Sequence, residues 1–140
     1  RATHEQYAHL ETDRVRVVPY LAPIADAYAA ADIAVTRAGA STIGDLCAWG
    51  LPSILVPLPT AAADHQTANA KVLEAGGAAV YVPQSELTAQ RLAAEVTRLA
   101  EDAGLRASLG AAAAARARPH AAETIAGRIV QLIERGGRPA

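Results

Sequence analysis

Two short apolar runs in the first half of the chain most constrain its fold. Residues 33–36 and 53–56 are almost wholly apolar, which is typical of strands that are covered on both faces in a parallel sheet. Two further β-like runs lie at residues 15–18 and 79–82. Because helical patterns separate the runs, the sequence predicts an α/β fold with a Rossmann-like parallel sheet and flanking helices.

The helices between these runs have recognisable beginnings and ends. A first helix should begin at Pro23, which suits the first helical position. A second should run from about Ser41 to Trp49 and stop at Gly50. A third should follow Asp64, a good N-cap, and end at residues 76–77. The residues expected on the buried faces of the first and third helices are Ile24, Ala27, Tyr28, Ala31, Ala68, Val72 and Leu73.

The C-terminal third is predicted to be helical and to pack against the sheet. Thr88 can cap a helix that ends near Glu101. Further helical patterns cover residues 105–116 and 123–134, and Pro119 separates them. We expect residues 1–140 to form one partial domain, with residues 136–140 as a flexible end.

Composition narrows the classes of function. The net charge of -1 gives no reason to expect a nucleic-acid partner. The single Cys47 excludes an internal disulfide and a cysteine-based metal site, which favours a reducing compartment. The longest uncharged run, residues 48–63, contains three prolines and is shorter than the roughly 20 residues that a membrane span needs. The chain has no methionine and begins with Arg1, so we expect a fragment of a longer protein.

The stretch TRAGASTIGDL places small and hydroxyl-bearing residues at a strand-to-helix junction. In an open α/β sheet, ligands bind where strand carboxyl ends meet helix N-termini. The Gly-x4-Gly spacing is not a P-loop, because Asp45 stands where that motif has lysine. What remains is a general anion site: Gly39 would allow close approach, and main-chain N–H groups would face the ligand. The sequence leaves this role open against a simpler one, in which Ser41 or Thr42 caps the helix.

Asp45 lies three residues after Thr42 and therefore on the same helical face. Its carboxylate could accept hydrogen bonds from ribose hydroxyls. It could equally be an acid in the first turn that the helix dipole stabilises. The residue alone does not decide between these two interpretations.

A second junction is the loop PLPTAAADHQTANA. Gln66 and Asn69 share a helical face, and amides both donate to and accept from sugar hydroxyls. His65 lies beside Gln66, but it has neither a nucleophile partner nor the companions that a metal ligand needs, so a surface or capping role stays open. Leu21, at a third predicted strand end, could present only main-chain groups to a ligand.

Taken together, the pieces RAGA, GLP before a buried strand, and DHQTANA closely resemble the C-terminal half of the MurG family, the bacterial N-acetylglucosaminyltransferases that make lipid II. The resemblance covers the chain from about Val15 onward. It implies the C-terminal domain of a GT-B glycosyltransferase that binds UDP-N-acetylglucosamine and uses no metal or other cofactor. It also implies an inverting transfer in which the 4-hydroxyl of undecaprenyl-diphospho-N-acetylmuramoyl-pentapeptide displaces UDP.

The same resemblance assigns roles to individual residues. Main-chain groups at Leu21 would hold the uracil, and Asp45 the ribose hydroxyls. The diphosphate would lie against the helix start, and the sugar against the second junction, with Asn69 nearby. The residues implied at these last two places are Gly39, Ala40, Ser41, Thr42, His65 and Gln66. No catalytic residue is implied within this chain.

The sequence also departs from the family pattern. Asp45 stands where the family usually has glutamate, one methylene longer. The N-terminal half is absent, and with it the acceptor site, the membrane-contacting patch and the candidate base. In the strand order 3-2-1-4-5-6, residues 15–18 would be strand 3, and strands 1 and 2 would be lacking. Two alternatives therefore stay open: a non-catalytic UDP-sugar-binding subunit of a split glycosyltransferase, and a related GT-B enzyme that glycosylates a glycolipid.

Overall fold

The computed structural model describes residues 2–136, and the chain divides between Ala31 and Asp32 into two units. The first unit contains helix α1 (Ala2–Tyr7), a 3-10 turn (Ala8–Leu10) and helix α2 (Ile24–Ala30). An extended segment precedes α2, and His4 Nε2 lies 3.1 Å from the Val17 carbonyl oxygen within it. Of the predicted flexible end, all but Gly136 lies outside the described residues.

The predicted strand at residues 15–18 is wrong, because this segment forms no ladder with any strand of the described chain. Its first residue is held in a local turn instead: Val15 N donates to Thr12 Oγ1 at 3.0 Å, while Thr12 N donates to the Val15 carbonyl at 2.9 Å. A threonine hydroxyl that bonds nearby main chain competes with a strand ladder in this way. Val15 and Val18 are 45% and 42% exposed.

Helix α2 differs from its prediction in two details. Pro23 occupies the N-cap position, and Ile24 is the first helical residue. The predicted inner face is only half-buried at Ala27, Tyr28 and Ala31, and Ile24 is 43% exposed. The helical period therefore gives the direction of the apolar face but not how completely that face is covered.

The second unit carries a parallel sheet of strands β1 (Ala34–Thr36), β2 (Ser53–Leu55) and β3 (Val80–Tyr81), in the order β1-β2-β3. Thr36 pairs with Leu55, which pairs in turn with Tyr81. The predicted fold class is thus confirmed. The central strand β2 is buried throughout, as its apolar run predicts. The expectation of two covered faces is wrong for β1, where Val35 is 46% exposed, because β1 is an edge strand of this sheet.

The helical C-terminal third is confirmed as helices α5 (Ala89–Glu101), α6 (Ala103–Ala114) and α7 (Ala121–Gly136). Thr88 caps α5 as predicted, accepting from Arg91 N at 3.0 Å. Leu99 of α5 and Leu109 of α6 pack in one core cluster with Ile54 of β2 and with Val56 and Val82, which directly follow β2 and β3. Packing against the sheet therefore holds for α5 and α6. It is wrong for α7, whose large apolar residues are exposed: Ile125, Ile129, Val130, Leu132 and Ile133.

Helices α3 (Ala40–Trp49) and α4 (His65–Ala75) lead away from the carboxyl ends of β1 and β2. Helix α3 ends as predicted at Gly50. This glycine is the C-cap residue, and its left-handed φ of 59° turns the chain away from the helix. A 3-10 turn (Ala62–Asp64) precedes α4, and another (Gln84–Glu86) follows β3.

The inner face of α4 is not the predicted one. Ala70 and Leu73 are buried, whereas Ala68 is exposed and Val72 is 57% exposed. The cause is a pair of polar side chains on the same face: Gln66 lies one turn before Ala70, Asn69 lies one turn before Leu73, and both bond inward to main chain. These bonds fix the rotation of α4 about its axis, so that the face i, i+3, i+4, i+7 begins at Gln66.

Candidate functional site

Helix α3 begins without a side-chain cap. Gly39 is the N-cap residue, and it has no side chain that could bond the first turn. The first bond of the helical ladder runs from Ile43 N to the Gly39 carbonyl at 2.9 Å. The N–H groups of Ala40, Ser41 and Thr42 precede that bond and have no acceptor within the helix. The alternative in which Ser41 or Thr42 caps this helix is therefore wrong, since both lie inside its first turn.

Nothing within the described chain requires a glycine at position 39. Its φ of -69° is ordinary for any residue. A Cβ added there would have only Thr42 Oγ1 near it, at 4.0 Å. The space above the helix start is thus open, and Ser41 and Asp45 are exposed beside it. A turn of this kind can receive an anion against its N–H groups.

The residue before this turn, Ala38, is fully buried, and both of its main-chain polar groups are bonded to side chains of α4. Its N–H donates to Gln66 Oε1 at 3.2 Å, and its carbonyl accepts from Asn69 Nδ2 at 3.1 Å. Because β1 ends at Thr36, the sheet ladder no longer supplies partners here, and unpaired buried main chain would be costly. The side-chain amides of Gln66 and Asn69 therefore supply the hydrogen-bond partners that a neighbouring strand would otherwise give to Ala38.

Gln66 also joins a second loop to this turn. The same Oε1 atom accepts from Leu58 N at 3.0 Å. The loops that follow β1 and β2 therefore meet at one side-chain oxygen. The structure brings Gln66 and Asn69 to the residue before the start of α3, and their contact with a sugar stays a prediction.

Arg37 is a residue of this site that the sequence interpretation missed. Its Nη1 donates to the carbonyls of Val56 and Pro57, both at 3.1 Å, and to Gln84 Oε1 at 2.6 Å. One guanidinium thus ties together the chain segments that follow all three strands. A signal existed: Arg37 is the only charged residue between Asp32 and Asp45, and it directly follows an apolar run.

His65 is exposed at the start of α4. Its Nδ1 lies 2.7 Å from the carbonyl oxygen of Ala62. Because a carbonyl only accepts, Nδ1 carries the proton in this contact, and Nε2 of the neutral ring is left as an acceptor. The bond fits the surface or capping role that the sequence left open, and a sugar contact through Nε2 stays a prediction.

The chain is strained where it enters α4. Ala63 and Asp64 have φ of 49° and 51°, the left-handed region that side chains disfavour. Asp64 precedes the helix as predicted, but its side chain makes no cap bond. Strain of this kind tends to be held at functional sites.

A cleft of about 370 Å³ adjoins these loops. It lies at the carboxyl ends of β2 and β3 and at the start of α4, and its lining includes Pro57, Asp64, Tyr81 and Gln84. Gln84 is the partner of Arg37 described above. The sequence interpretation did not find this cleft, because no motif marks the residues after β3.

Leu21 belongs to the first unit, where it is 50% exposed outside any helix or strand. Its assignment to a uracil ring stays a prediction. Asp45 lies on α3 and is exposed three residues beyond Thr42, so either of its proposed roles is sterically open.

Three further observations concern other parts of the described chain. Burial raises the pKa of the Cys47 thiol, and the positive charge of Arg116 opposes part of that shift. Among residues 2–136, no three His, Cys, Asp or Glu side chains lie close enough to hold a metal ion. None of the helices described is long and apolar enough to cross a membrane.

Known proteins share both the sequence and the fold. Residues 1–125 match the family model of the glycosyltransferase family 28 C-terminal domain. The chain is 48% identical over 132 residues to a Sorangium cellulosum (strain So ce56) protein named UDP-N-acetylglucosamine--N-acetylmuramyl-(pentapeptide) pyrophosphoryl-undecaprenol N-acetylglucosamine transferase, covering 94% of this chain and 33% of that one. A Salinibacter ruber (strain DSM 13855 / M31) protein of the same name is 47% identical over 125 residues, covering 89% of this chain and 34% of its own length.

A solved structure, that of Acinetobacter baumannii MurG, superposes with a TM-score of 0.83 at 34% identity. The match covers 92% of this chain and 38% of that chain. The chain thus spans about a third of the length of the curated relatives it matches. The parallel sheet, the flanking helices and the family match agree, and the chain belongs to the glycosyltransferase family 28 C-terminal domain family.

Proposed function

We propose that this chain binds UDP-N-acetylglucosamine as the donor-binding part of an inverting N-acetylglucosaminyltransferase. In this proposal residues 1–140 are one partial domain of that enzyme. The acceptor is undecaprenyl-diphospho-N-acetylmuramoyl-pentapeptide, and the product is a peptidoglycan precursor. The names of the relatives support this donor and this acceptor.

The observation that carries the proposal is the uncapped start of α3. Its first-turn N–H groups have no acceptor in the helix, and Gly39 leaves open space in front of them. A diphosphate would satisfy those donors and would also interact favourably with the helix dipole. The groups that receive it are the main chain at Ala40, Ser41 and Thr42, together with the Thr42 hydroxyl.

The rest of the donor extends from that point. Asp45 would accept from the ribose hydroxyls, and Leu21 main chain would hold the uracil. The sugar would meet Gln66, whose oxygen accepts from Ala38 N, and His65, whose ring is bonded to the Ala62 carbonyl just before α4. This order follows the chemistry of a nucleotide sugar: the diphosphate separates a ribose from a hexose.

In the proposed mechanism, the N–H groups at the start of α3 stabilise the negative charge of the leaving group. The acceptor hydroxyl oxygen forms a bond to the anomeric carbon while the bond from that carbon to the diphosphate oxygen breaks. Negative charge then builds on the departing UDP, where fixed N–H donors stabilise it most. The proton leaves the acceptor hydroxyl for a base outside this chain, so no residue here is assigned as catalytic.

In the full-length enzyme, the lipid-linked acceptor would be bound by an N-terminal domain. We propose a peripheral association of that enzyme with the inner, cytoplasmic face of the cell membrane. A lipid acceptor supports this location, because its polar head is reached from the membrane surface. No nucleic acid, metal or other cofactor takes part in the proposal.

Calorimetric titration of the 140-residue chain tests the donor site. We expect UDP and UDP-N-acetylglucosamine to bind, UDP-glucose to bind more weakly, and ADP not to bind. Thr42→Ala should weaken UDP binding severalfold, since one donor to the diphosphate is lost. The matched control Thr97→Ala, on the exposed side of α5, should bind like the parent chain. The absence of UDP binding would refute the proposal.

A transfer assay separates the alternatives. We expect no turnover from UDP-N-acetylglucosamine to a lipid I analogue by this chain alone, because it supplies no base. Tighter binding of UDP-glucose than of UDP-N-acetylglucosamine would favour a glycolipid glycosyltransferase. Turnover by the isolated chain would overturn the assignment of the base to another domain.

A further inference from the structure

We propose that the cleft at the carboxyl ends of β2 and β3 binds an alkylammonium side chain of a peptide, that is, an amine carried on a flexible hydrocarbon stem. The Asp64 carboxylate receives the ammonium group, and the Tyr81 ring packs with neighbouring prolines against the stem. This inference rests on the proposed function, because the peptide is the one that the acceptor carries. None of the residues assigned to the donor lines this cleft.

The walls of the cleft are rich in carbon and well covered. Pro57 is buried, and Tyr81 and Pro83 are half-buried. Proline and tyrosine rings offer apolar surface on which the methylene stem of a long cationic side chain can lie while its charged end stays near water. The volume of about 370 Å³ is near the lower limit for small-molecule sites. The cleft therefore suits a single side chain and the adjoining peptide groups better than a whole nucleotide sugar.

The polar groups at the cleft are free to accept hydrogen bonds. Asp64 is the only charged residue in the lining. No described residue forms a hydrogen bond or an ion pair with the side chains of Asp64, Thr67 or Ser85. An ammonium group has three N–H donors and no acceptor, so a carboxylate and two hydroxyl oxygens match it. The Tyr81 ring adds a cation–π attraction where the ammonium lies over its face.

Asp64 keeps its carboxylate away from the helix that it precedes. An aspartate at an N-cap ordinarily accepts from a first-turn N–H group, which stabilises a helix by about 1 kcal/mol. Asp64 is the N-cap residue of α4 but makes no such bond, and its φ of 51° is left-handed. The chain thus gives up a cap at a strained position, and the carboxylate is left at the cleft.

Arg37 is joined to this lining through Gln84. Its Nη1 group is bonded to three oxygen atoms, and Arg37 itself does not line the cleft. Because Gln84 Oε1 accepts one of these bonds, the free end of the Gln84 amide is the Nε2 donor. That donor matches a peptide carbonyl and not an ammonium group. The lining therefore provides acceptors for the amine and a donor for the adjoining peptide main chain.

The position of the cleft suits the chemistry of the acceptor. Asp64 and Thr67 directly flank His65 and Gln66 in the chain, the two residues assigned to the donor sugar. In an N-acetylmuramoyl-peptide, the peptide is attached through a lactyl ether on O3, the neighbour of the 4-hydroxyl that attacks. The peptide therefore begins a few bonds from the reacting carbon, and the names of the relatives include such a peptide. A cleft beside the sugar contacts is within its reach.

An NMR titration of the isotope-labelled 140-residue chain tests the site. The probes are acetyl-alanyl-lysyl-alanine amide and the same peptide with norleucine, which has the same stem without the ammonium group. We expect the lysyl peptide to shift the main-chain amide signals of Thr67, Tyr81 and Ser85. It should bind about fivefold or more tightly than the norleucyl peptide, because one charge-assisted contact is gained. A third peptide, in which the lysine amine is acetylated, should bind like the norleucyl one.

Asp64→Asn should remove this preference for the lysyl peptide. Asparagine keeps the size of the side chain and tolerates a left-handed φ, so the change removes the charge without disturbing the turn. The matched control is Glu74→Gln, an exposed acid at the other end of α4, which should keep the preference. Equal affinity of the parent chain for the lysyl and norleucyl peptides, or a preference that survives Asp64→Asn, would overturn the inference.

Titration of the same sample with UDP separates this inference from the function on which it rests. If the parent chain binds UDP but the lysyl peptide shifts no signal at the cleft, the inference is wrong and the donor site stands. If the lysyl peptide binds at the cleft but UDP does not bind, the alkylammonium site stands. Its assignment to the acceptor peptide is then refuted together with the proposed function.

Discussion

The backbone of Gly110 in α6 lies against that of Gly50 at the end of α3. A Cβ added at Gly110 would lie 2.6 Å from the Gly50 carbonyl oxygen, closer than such atoms can approach. Gly50 in turn needs its left-handed φ of 59° to end α3. The two glycines therefore fix the C-terminal end of the helix whose N-terminal end forms the candidate anion site.

Gly110→Ala should lower the free energy of unfolding by about 1–3 kcal/mol, because the new methyl group collides with main chain that cannot move aside. Gly127→Ala in α7 is the matched control. A Cβ at Gly127 meets nothing within 4 Å, so this helical substitution should stabilise by up to about 1 kcal/mol. Urea denaturation measures both, and equal effects of the two changes would contradict the close contact.

Gly39→Ser should change stability and ligand affinity in opposite directions. Serine is a better N-cap than glycine by a few tenths of a kcal/mol, and the position has an ordinary φ and open space. Its hydroxyl would accept from the first-turn N–H groups that we assign to the diphosphate. We therefore expect a slightly more stable chain that binds UDP at least severalfold more weakly.

Thermal denaturation measures the expected gain in stability, and calorimetry measures the expected loss of UDP affinity. Gly127→Ser is a control for the substitution itself, since position 127 is also open and lies on α7. Parent-like UDP affinity in Gly39→Ser would show that the N–H groups of α3 do not receive the ligand.

Asp45→Asn should abolish the discrimination between UDP and 2′-deoxy-UDP. A carboxylate that accepts from ribose hydroxyls loses most of its advantage when it becomes a neutral amide. The parent chain should prefer UDP by about tenfold or more, which corresponds to one charge-assisted hydrogen bond. Glu74→Gln, an exposed acid of α4, should keep the preference. If Asp45→Asn discriminates as the parent does, the carboxylate only stabilises the helix start.

The sheet and the order of its helices could be predicted because they follow from local patterns. The buried run at β2 and the glycine that ends α3 each indicate a structure on their own. The error at residues 15–18 has a different origin. Thr12 turns the chain through side-chain bonds to Arg14 N and Val15 N, and a valine-rich pattern does not reveal such a competitor.

The side chains of the candidate site could be placed on their helices from sequence, but their hydrogen-bond partners could not be predicted. Gln66 and Asn69 were predicted on one helical face, yet that face was expected to be turned toward a ligand. Their bonds to Ala38 lie across 28 and 31 residues of chain. Neither spacing nor residue type shows that buried main chain at the end of β1 needs these partners. The same holds for Arg37, whose role depends on three strand ends that only the fold brings together.

Arg37→Lys should lower the free energy of unfolding by about 1–2 kcal/mol, because the lysine side chain is one atom shorter than arginine and its ammonium cannot occupy the position of Nη1 between the three acceptors. Gln84→Ala should cost less, since only one of those bonds is lost. The double variant should cost less than the sum, as expected for groups in one network. Arg16→Lys is the control, because its ion pair with Glu11 is on the surface and should contribute little to stability. Strict additivity of the Arg37 and Gln84 changes would argue against the network.

Cys47 should make the parent chain lose stability in alkali. Burial raises the pKa of its thiol, whereas the unfolded chain has an ordinary thiol pKa near 8.5. Above that pH the unfolded state releases the proton and the folded state retains it, so unfolding becomes more favourable as pH rises. Below that pH, the thiol is protonated in both states, and its contribution to the free energy of unfolding no longer depends on pH.

Urea denaturation from pH 7 to 10, with Cys47→Ala as the reference, separates the effect of this thiol from the titration of the tyrosines and Lys71. The stability advantage of the parent over Cys47→Ala should shrink steadily above about pH 8.5. An advantage that stays constant across the range would mean that the thiol is no harder to ionise in the fold than in the unfolded chain.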